Sequence, residues 1–204
     1  MDSQNLLHSV LSLSLTWVIP KSRTSKMHLP LVFLFLTSLN LVSSLNLNIT
    51  AITASPNNKK THFQCWQLSD PFAFSNQPGI IGTANTFLGD VVNMTYNVIP
   101  AGYDSGFHTV PTNQWAIVLS GTAEITISSS NQSVITTGDE LAIFFFTDTA
   151  EISKRGHGTS YPGISETIFL QIPGAVPEHE VLLDDGPCRP VEYSGLRGLA
   201  GKLE

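Results

Sequence analysis

The chain has 204 residues, of which 42% are apolar and only 13% are charged. This length supports one domain with a hydrophobic core and is too short for two full-sized domains. Ten basic and sixteen acidic residues give a net charge of −6. Without a basic stripe to neutralise phosphates, nucleic acid is excluded as a partner class.

The N-terminal segment accounts for much of the apolar excess. Residues 29–42 form an apolar run closed by Ser43 and Ser44, which is shorter than the about 20 residues that span a bilayer. The run is typical of a secretory signal cleaved after Ser44, and an uncleaved signal anchor is the alternative. We predict that residues 1–44 are an upstream extension plus a signal peptide, with Met1 or Met27 as the start. The mature protein would then be secreted, without membrane contact.

Two further features agree with secretion. Three N-x-S/T sequons begin at Asn48, Asn93 and Asn131 and are candidate glycosylation sites. The mature chain has two cysteines, Cys65 and Cys188. In an oxidising compartment such a pair predicts one disulfide, with two free thiols as the alternative.

From residue 61 onward the apolar residues recur with the period of a β-strand. Residues 92–98, 115–119, 123–127, 134–136, 141–146 and 167–172 are predicted strands separated by turn signals. Many short strands about ten residues apart favour an antiparallel sandwich or barrel. We predict an N-terminal arm over residues 45–63, a barrel over 64–188 and a loose tail over 189–204.

The stretch around His108 has a recognisable spacing. Gly102, His108 and Gly121 stand where the first motif of cupins has a glycine, its first histidine and its second glycine, and the chain resembles a small single-domain (type-2) cupin. Val110 stands at the position of that motif's second histidine, and Gln114 at that of its glutamate. In the family, the histidines and the glutamate of this motif hold a metal, so the chain resembles a cupin whose metal motif is degenerate.

The second cupin motif is matched less closely. Gly138 opens it, but the family spacing would place its histidine at Thr149. An insertion of about eight residues brings His157 to that position instead, followed four residues later by Tyr161. The alternative is that His157 belongs to a solvated surface loop.

The resemblance implies an all-β double-stranded β-helix, a jelly-roll (cupin) barrel, with a pocket between its sheets. His108 and His157 are the implied catalytic residues, and Gln114, Val110 and Tyr161 are candidate pocket residues. His108, His157 and Gln114 would be the ligands of a weakly held divalent metal such as iron, manganese, zinc or copper.

Three functions follow from this reading. The first is a secreted barrel that binds a small apolar or phenolic molecule, with metal weakly bound or absent. The second is a metal-dependent cupin oxygenase or isomerase that uses His108 and His157, and the third is a structural or storage role. Homo-oligomers are compatible with the pattern, which does not fix them.

Overall fold

The computed structural model describes residues 45–139 and 141–193. The predicted signal peptide and most of the predicted tail lie outside these residues. Within the two ranges, no helix has the length and hydropathy to cross a membrane. Their secondary structure consists of thirteen strands and a one-turn helix: β1 (Asn46–Ala54), β2 (Thr61–Pro71), β3 (Ala73–Phe74), β4 (Ala84–Asn85), β5 (Thr95–Ile99), β6 (Asp104–His108), β7 (Gln114–Ser120), β8 (Ala123–Ile127), β9 (Ser133–Thr136), β10 (Ile143–Phe146), β11 (His157–Ser160), β12 (Thr167–Pro173), β13 (His179–Leu183) and α1 (Pro190–Tyr193).

Strands β5 to β12 form an eight-stranded jelly roll. One sheet contains the order β10-β7-β12-β5 and the other has the order β6-β11-β8-β9. Every strand pair within these two groups is antiparallel. Counted from one to eight along the chain, the orders are 6-3-8-1 and 2-7-4-5, the double Greek key that cupins share with other jelly rolls. The predicted fold class is confirmed.

Three further strands widen the first sheet. Its order continues from β10 through β1 and β2 to β13, with β1 parallel to β10. Residues 45–63, predicted to be an arm, thus supply β1 and the start of β2. Neighbouring residues such as Ala51 and Ile52 are both fully buried, so both faces of β1 are covered. A strand buried on both faces lacks the alternation by which the others were identified.

The core between the two sheets takes side chains from both. Phe144 and Phe146 on β10 pack in one cluster with Ile125 and Ile127 on β8. On β8 the intervening Glu124 is partly exposed, as the sequence alternation predicts. A second cluster lies on the opposite face of the larger sheet and includes Trp66, Trp115 and Phe145.

Strand β5 is where the burial expected from the sequence differs most from the structure. The apolar side chains of Met94, Tyr96 and Val98 are more than half exposed, with Tyr96 at 62%. The other face of the strand points inward, where Asn97 donates to Gln171 over 3.4 Å and Ile99 joins a core cluster. Alternation shows that two faces differ, but the position of a strand decides which face meets the core.

The predicted disulfide is confirmed. Cys65 on β2 is bonded to Cys188, and their Cα atoms are 4.5 Å apart. The backbone N–H of Cys188 donates to Oγ1 of Thr50 over 3.0 Å, which fixes the segment around Cys188 against β1. A disulfide that is almost wholly buried fits folding in an oxidising, non-cytosolic compartment.

The three sequons differ in accessibility. Asn93 and Asn131 are exposed. Asn48 lies within β1 at 8% exposure and accepts a hydrogen bond from Gln67 over 3.2 Å. A glycan would therefore meet open solvent at Asn93 and Asn131, whereas at Asn48 it would compete with strand packing.

Candidate functional site

A cavity of about 110 Å³ lies between the two sheets of the jelly roll. Four of the residues expected at the site line it: His108, Gln114, His157 and Tyr161. Apolar side chains from both sheets make up much of the remaining wall, including Phe144, Phe146, Phe169 and Ile125. The predicted pocket residue Val110 is not among the lining residues, because it is buried in the cluster of Ile52 and Phe63 beside the cavity.

Strand pairing brings His108 and His157 together. They are directly opposite each other in the β6–β11 register, and their ring centroids are 4.8 Å apart. His157 is 3% exposed and packs against the ring of Phe146, whereas His108 is exposed. The structure thus places His157 on a buried strand and not in a solvated loop.

A buried carboxylate that the sequence analysis did not single out completes the site. Oδ2 of Asp148 is 2.8 Å from Nδ1 of His157, and Asp148 is completely buried. Its other oxygen, Oδ1, has no hydrogen-bond partner among the described residues. Burial raises the pKa of Asp148, although the hydrogen bond and charge interaction with His157 oppose this rise.

The sequence did contain a signal for Asp148. It is the one charged residue in the stretch 141–150, two residues after the end of the buried strand β10, and is next to Thr149. A lone acidic residue at the end of an apolar strand is costly to bury unless it is paired. Its partner is nine residues further along the chain, so only the folded chain shows the pair.

Tyr161 contributes a phenol hydroxyl group to the cavity lining. It follows β11 on the same face as His157, because residues four apart in an extended chain point the same way. Burial, with a smaller contribution from nearby Tyr103, raises the pKa of Tyr161 to about 12. The phenol is therefore protonated at neutral pH and available as a hydrogen-bond donor.

The donor set does not fit a tightly held divalent metal. His108 and His157 offer two imidazoles, and Gln114 offers a neutral amide oxygen. Across residues 45–139 and 141–193, no group of three or more histidine, cysteine or carboxylate side chains is placed to hold a metal. A carboxylate contact like that from Asp148 to His157 is found both in metal-binding histidines and in histidines that act as bases. The contact therefore does not distinguish the two roles. The site does not fit a tightly held metal because too few further donor atoms surround it.

Gly156 allows a close approach between β6 and β11, the strands that carry His108 and His157. Its φ is +67°, and a Cβ built there would overlap the carbonyl group of His108 and lie 2.8 Å from the backbone nitrogen of Thr109. The Gly156→Ala substitution is expected to lower the free energy of unfolding by about 2–4 kcal/mol, because it adds a backbone clash to the strain of a positive φ. Urea denaturation measures the change.

Gly102→Ala is the matched control for this substitution. Gly102 has a φ of +77°, but a Cβ there would meet nothing within 4 Å. Only the conformational cost of about 1 kcal/mol is then expected. Equal losses in the two variants would contradict the close contact between Gly156 and His108.

Comparisons with known proteins give little beyond this description. No family model matches the chain, and no curated protein matches it. Among solved structures the chain is similar to NovW, a 4-keto-6-deoxy sugar epimerase from the novobiocin biosynthetic gene cluster of Streptomyces spheroides. The two are 9% identical with a TM-score of 0.30, and the match covers 76% of this chain and 92% of that chain. The fold assignment therefore depends on the strand order.

Proposed function

We propose that this cupin-type barrel binds a small, largely apolar, ring-sized molecule and that His157 transfers a proton to or from it. The observation that carries the proposal is that His157, which lines the cavity, is paired with the buried carboxyl group of Asp148. Burying a carboxylate beside an imidazole is costly, and such pairs concentrate at functional sites.

The cavity volume limits the size of the molecule. Pockets for drug-sized ligands typically measure about 300–1,000 Å³, whereas an apolar cavity of roughly 150 Å³ holds a benzene molecule. At about 110 Å³, the cavity has room for no more than a single small ring. The phenylalanine side chains that β10 and β12 contribute to the wall, Phe144, Phe146 and Phe169, favour an apolar or aromatic ring over a sugar.

The proton chemistry follows from the hydrogen bond to Asp148. A carboxylate that accepts from Nδ1–H of His157 leaves the lone pair on Nε2 as the base. When Nε2 takes a proton from the bound molecule, the nearby carboxylate stabilises the imidazolium that forms. Tyr161, which is protonated at neutral pH, can donate to an oxygen of the same molecule. Return of the proton to a different atom would complete an isomerisation.

Binding without chemistry is the second candidate. It is favoured by the replacement of two motif residues by Val110 and Gln114, which removes a histidine and a negative charge. In both candidate functions the protein is secreted. The apolar run at residues 29–42 and the disulfide support this.

Proton exchange in D₂O tests the proposal. Cyclohexanone is the probe, because its α-protons exchange only when a base removes them, and NMR follows their loss. We expect the wild-type protein to accelerate exchange above buffer and the His157→Gln variant to lose that acceleration. His62→Gln is the matched control, since His62 also contacts a carboxylate, Asp184 at 3.9 Å, but lies outside the cavity. Equal exchange in wild type and His157→Gln would leave binding alone as the function.

A further inference from the structure

Gln114 presents a side-chain amide to the barrel cavity. It begins β7, and Ala116 and Val118 follow it on the face of the strand that lines the cavity. The residue is only 6% exposed, and its amide has no hydrogen-bond partner among residues 45–139 and 141–193. Burying an amide without a partner is costly, and almost all buried polar groups are hydrogen-bonded. The amide of Gln114 therefore indicates a polar atom that the bound molecule supplies.

Gln114 lies at the same end of the cavity as His157. Its strand partner on β10 is Phe146, and the ring centroid of Phe146 is 4.5 Å from that of His157. Tyr161 is four residues beyond His157, which corresponds to roughly 13 Å along an extended chain, and it packs in the cluster of Val118. The amide and the imidazole therefore face one end of a bound ring, and the phenol faces the other end.

A neutral amide suits a carbonyl oxygen at this end of the cavity. Asp148 already places a carboxyl group beside His157, with 2.8 Å between Oδ2 and Nδ1. A second carboxylate, at the position where the first cupin motif has its glutamate, would repel an oxygen atom that gains negative charge when His157 removes a proton. The amide of Gln114 donates from Nε2–H without adding a charge. Glutamine in place of glutamate thus suits a site that stabilises an enolate.

We propose that Gln114 binds the carbonyl oxygen of a small cyclic ketone, which is the substrate class of the barrel. This inference rests on the proposed function, because it requires a ring-sized molecule in the cavity. Nε2 of His157 takes the proton from the carbon beside the carbonyl group, the electrons of the broken C–H bond form a C=C bond, and the carbonyl π electrons move to the oxygen. The enolate oxygen then accepts a stronger hydrogen bond from Gln114 than the ketone does. Return of the proton to carbon completes the cycle without a further reactant.

The Gln114→Met variant tests this hydrogen bond in the cyclohexanone exchange assay. Methionine has the length of glutamine but no N–H group, so it keeps the space filled while it removes the donor. We expect the exchange rate at saturating cyclohexanone to fall about 100-fold, because one donor to an oxyanion is typically worth about 10²–10³-fold in rate. Gln67→Met is the matched control, since Gln67 is also on a strand of the larger sheet, but its amide donates to Asn48 over 3.2 Å outside the cavity. This control should exchange at the wild-type rate.

A binding measurement separates the hydrogen bond from the chemistry. Methylenecyclohexane has the shape of cyclohexanone, with a CH₂ group in place of the oxygen atom. Each probe is titrated into the ¹⁵N-labelled full chain and followed by ¹H–¹⁵N NMR. We expect Gln114→Met to weaken the binding of cyclohexanone about tenfold and to change that of methylenecyclohexane by less than about twofold. In the wild type, cyclohexanone should move the side-chain N–H signals of Gln114 downfield, and methylenecyclohexane should not.

The outcomes separate this inference from the proposed function. If Gln114→Met binds cyclohexanone and exchanges its protons as the wild type does, the carbonyl site is overturned while proton transfer by His157 stands. If the wild type binds cyclohexanone without accelerating exchange, proton transfer is overturned, and a selective loss of cyclohexanone binding in Gln114→Met still supports the carbonyl site. A variant that loses both probes equally would overturn the site, since the effect would not depend on the oxygen atom. If the wild type binds neither probe, both proposals are overturned.

Discussion

Replacing Asp148 by asparagine is expected to lower the proton exchange catalysed by His157 by up to about 1,000-fold, with the fold retained. Asparagine has the shape of aspartate, but it cannot supply the negative charge that orients the imidazole and stabilises its protonated form. In a Ser-His-Asp triad, where a carboxylate makes the same contact with a histidine base, its loss costs about 10⁴-fold in rate. The cyclohexanone exchange assay measures the change directly.

The same variant is expected to change how stability depends on pH. Burial raises the pKa of Asp148 above its usual 3.8, so the folded protein holds this proton more tightly than the unfolded chain does. The contribution of the group to stability is therefore complete below pH 3.8 and is lost as the pH rises through the raised pKa. Asparagine does not titrate. The difference in free energy of unfolding, wild type minus Asp148→Asn, should fall as the pH rises above 3.8.

Asp184→Asn is the control for both measurements. Asp184 faces His62 at 3.9 Å, but its side chain is 86% exposed. We expect this variant to match the wild type in exchange rate. Exchange at the wild-type rate in Asp148→Asn would show that His157 does not depend on the buried carboxylate.

Removing the disulfide is expected to cause the largest loss of stability. The bond between Cys65 and Cys188 joins residues 123 positions apart. In the chain-entropy model a loop of this length contributes about 4–5 kcal/mol, because it restricts the unfolded chain. A Cys65→Ala, Cys188→Ala double variant should therefore unfold at a much lower guanidinium concentration than the oxidised protein.

Reduced wild-type protein provides the control for the double variant. Under a strong reductant the wild type should unfold near the variant's midpoint, since both lack the cross-link. Adding the reductant should leave the variant itself unchanged. A double variant as stable as the oxidised protein would show that packing alone holds the segment around residue 188 beside Thr50.

The sequence by itself determined the fold class and the covalent framework. Strands such as β8, with Ala123, Ile125 and Ile127 buried in the barrel, were predictable because alternation reflects a sheet with one covered face. The cysteine pair was predictable from its number and from the signal-like run. His108 and His157 could be chosen only through a resemblance, and their approach to 4.8 Å needed the strand register.

Only the tertiary structure decided which face of each strand met the core and which polar groups were paired. Tyr96 and Val98 are exposed on the outer face of β5, the edge strand of the larger sheet, and local alternation does not show which face of a strand is turned outward. Asp148 reaches His157 across a loop, and Lys154 lies beside Lys59 through contact between distant segments. Local patterns encode secondary structure, whereas the pairings that carry chemistry form between residues far apart in the chain.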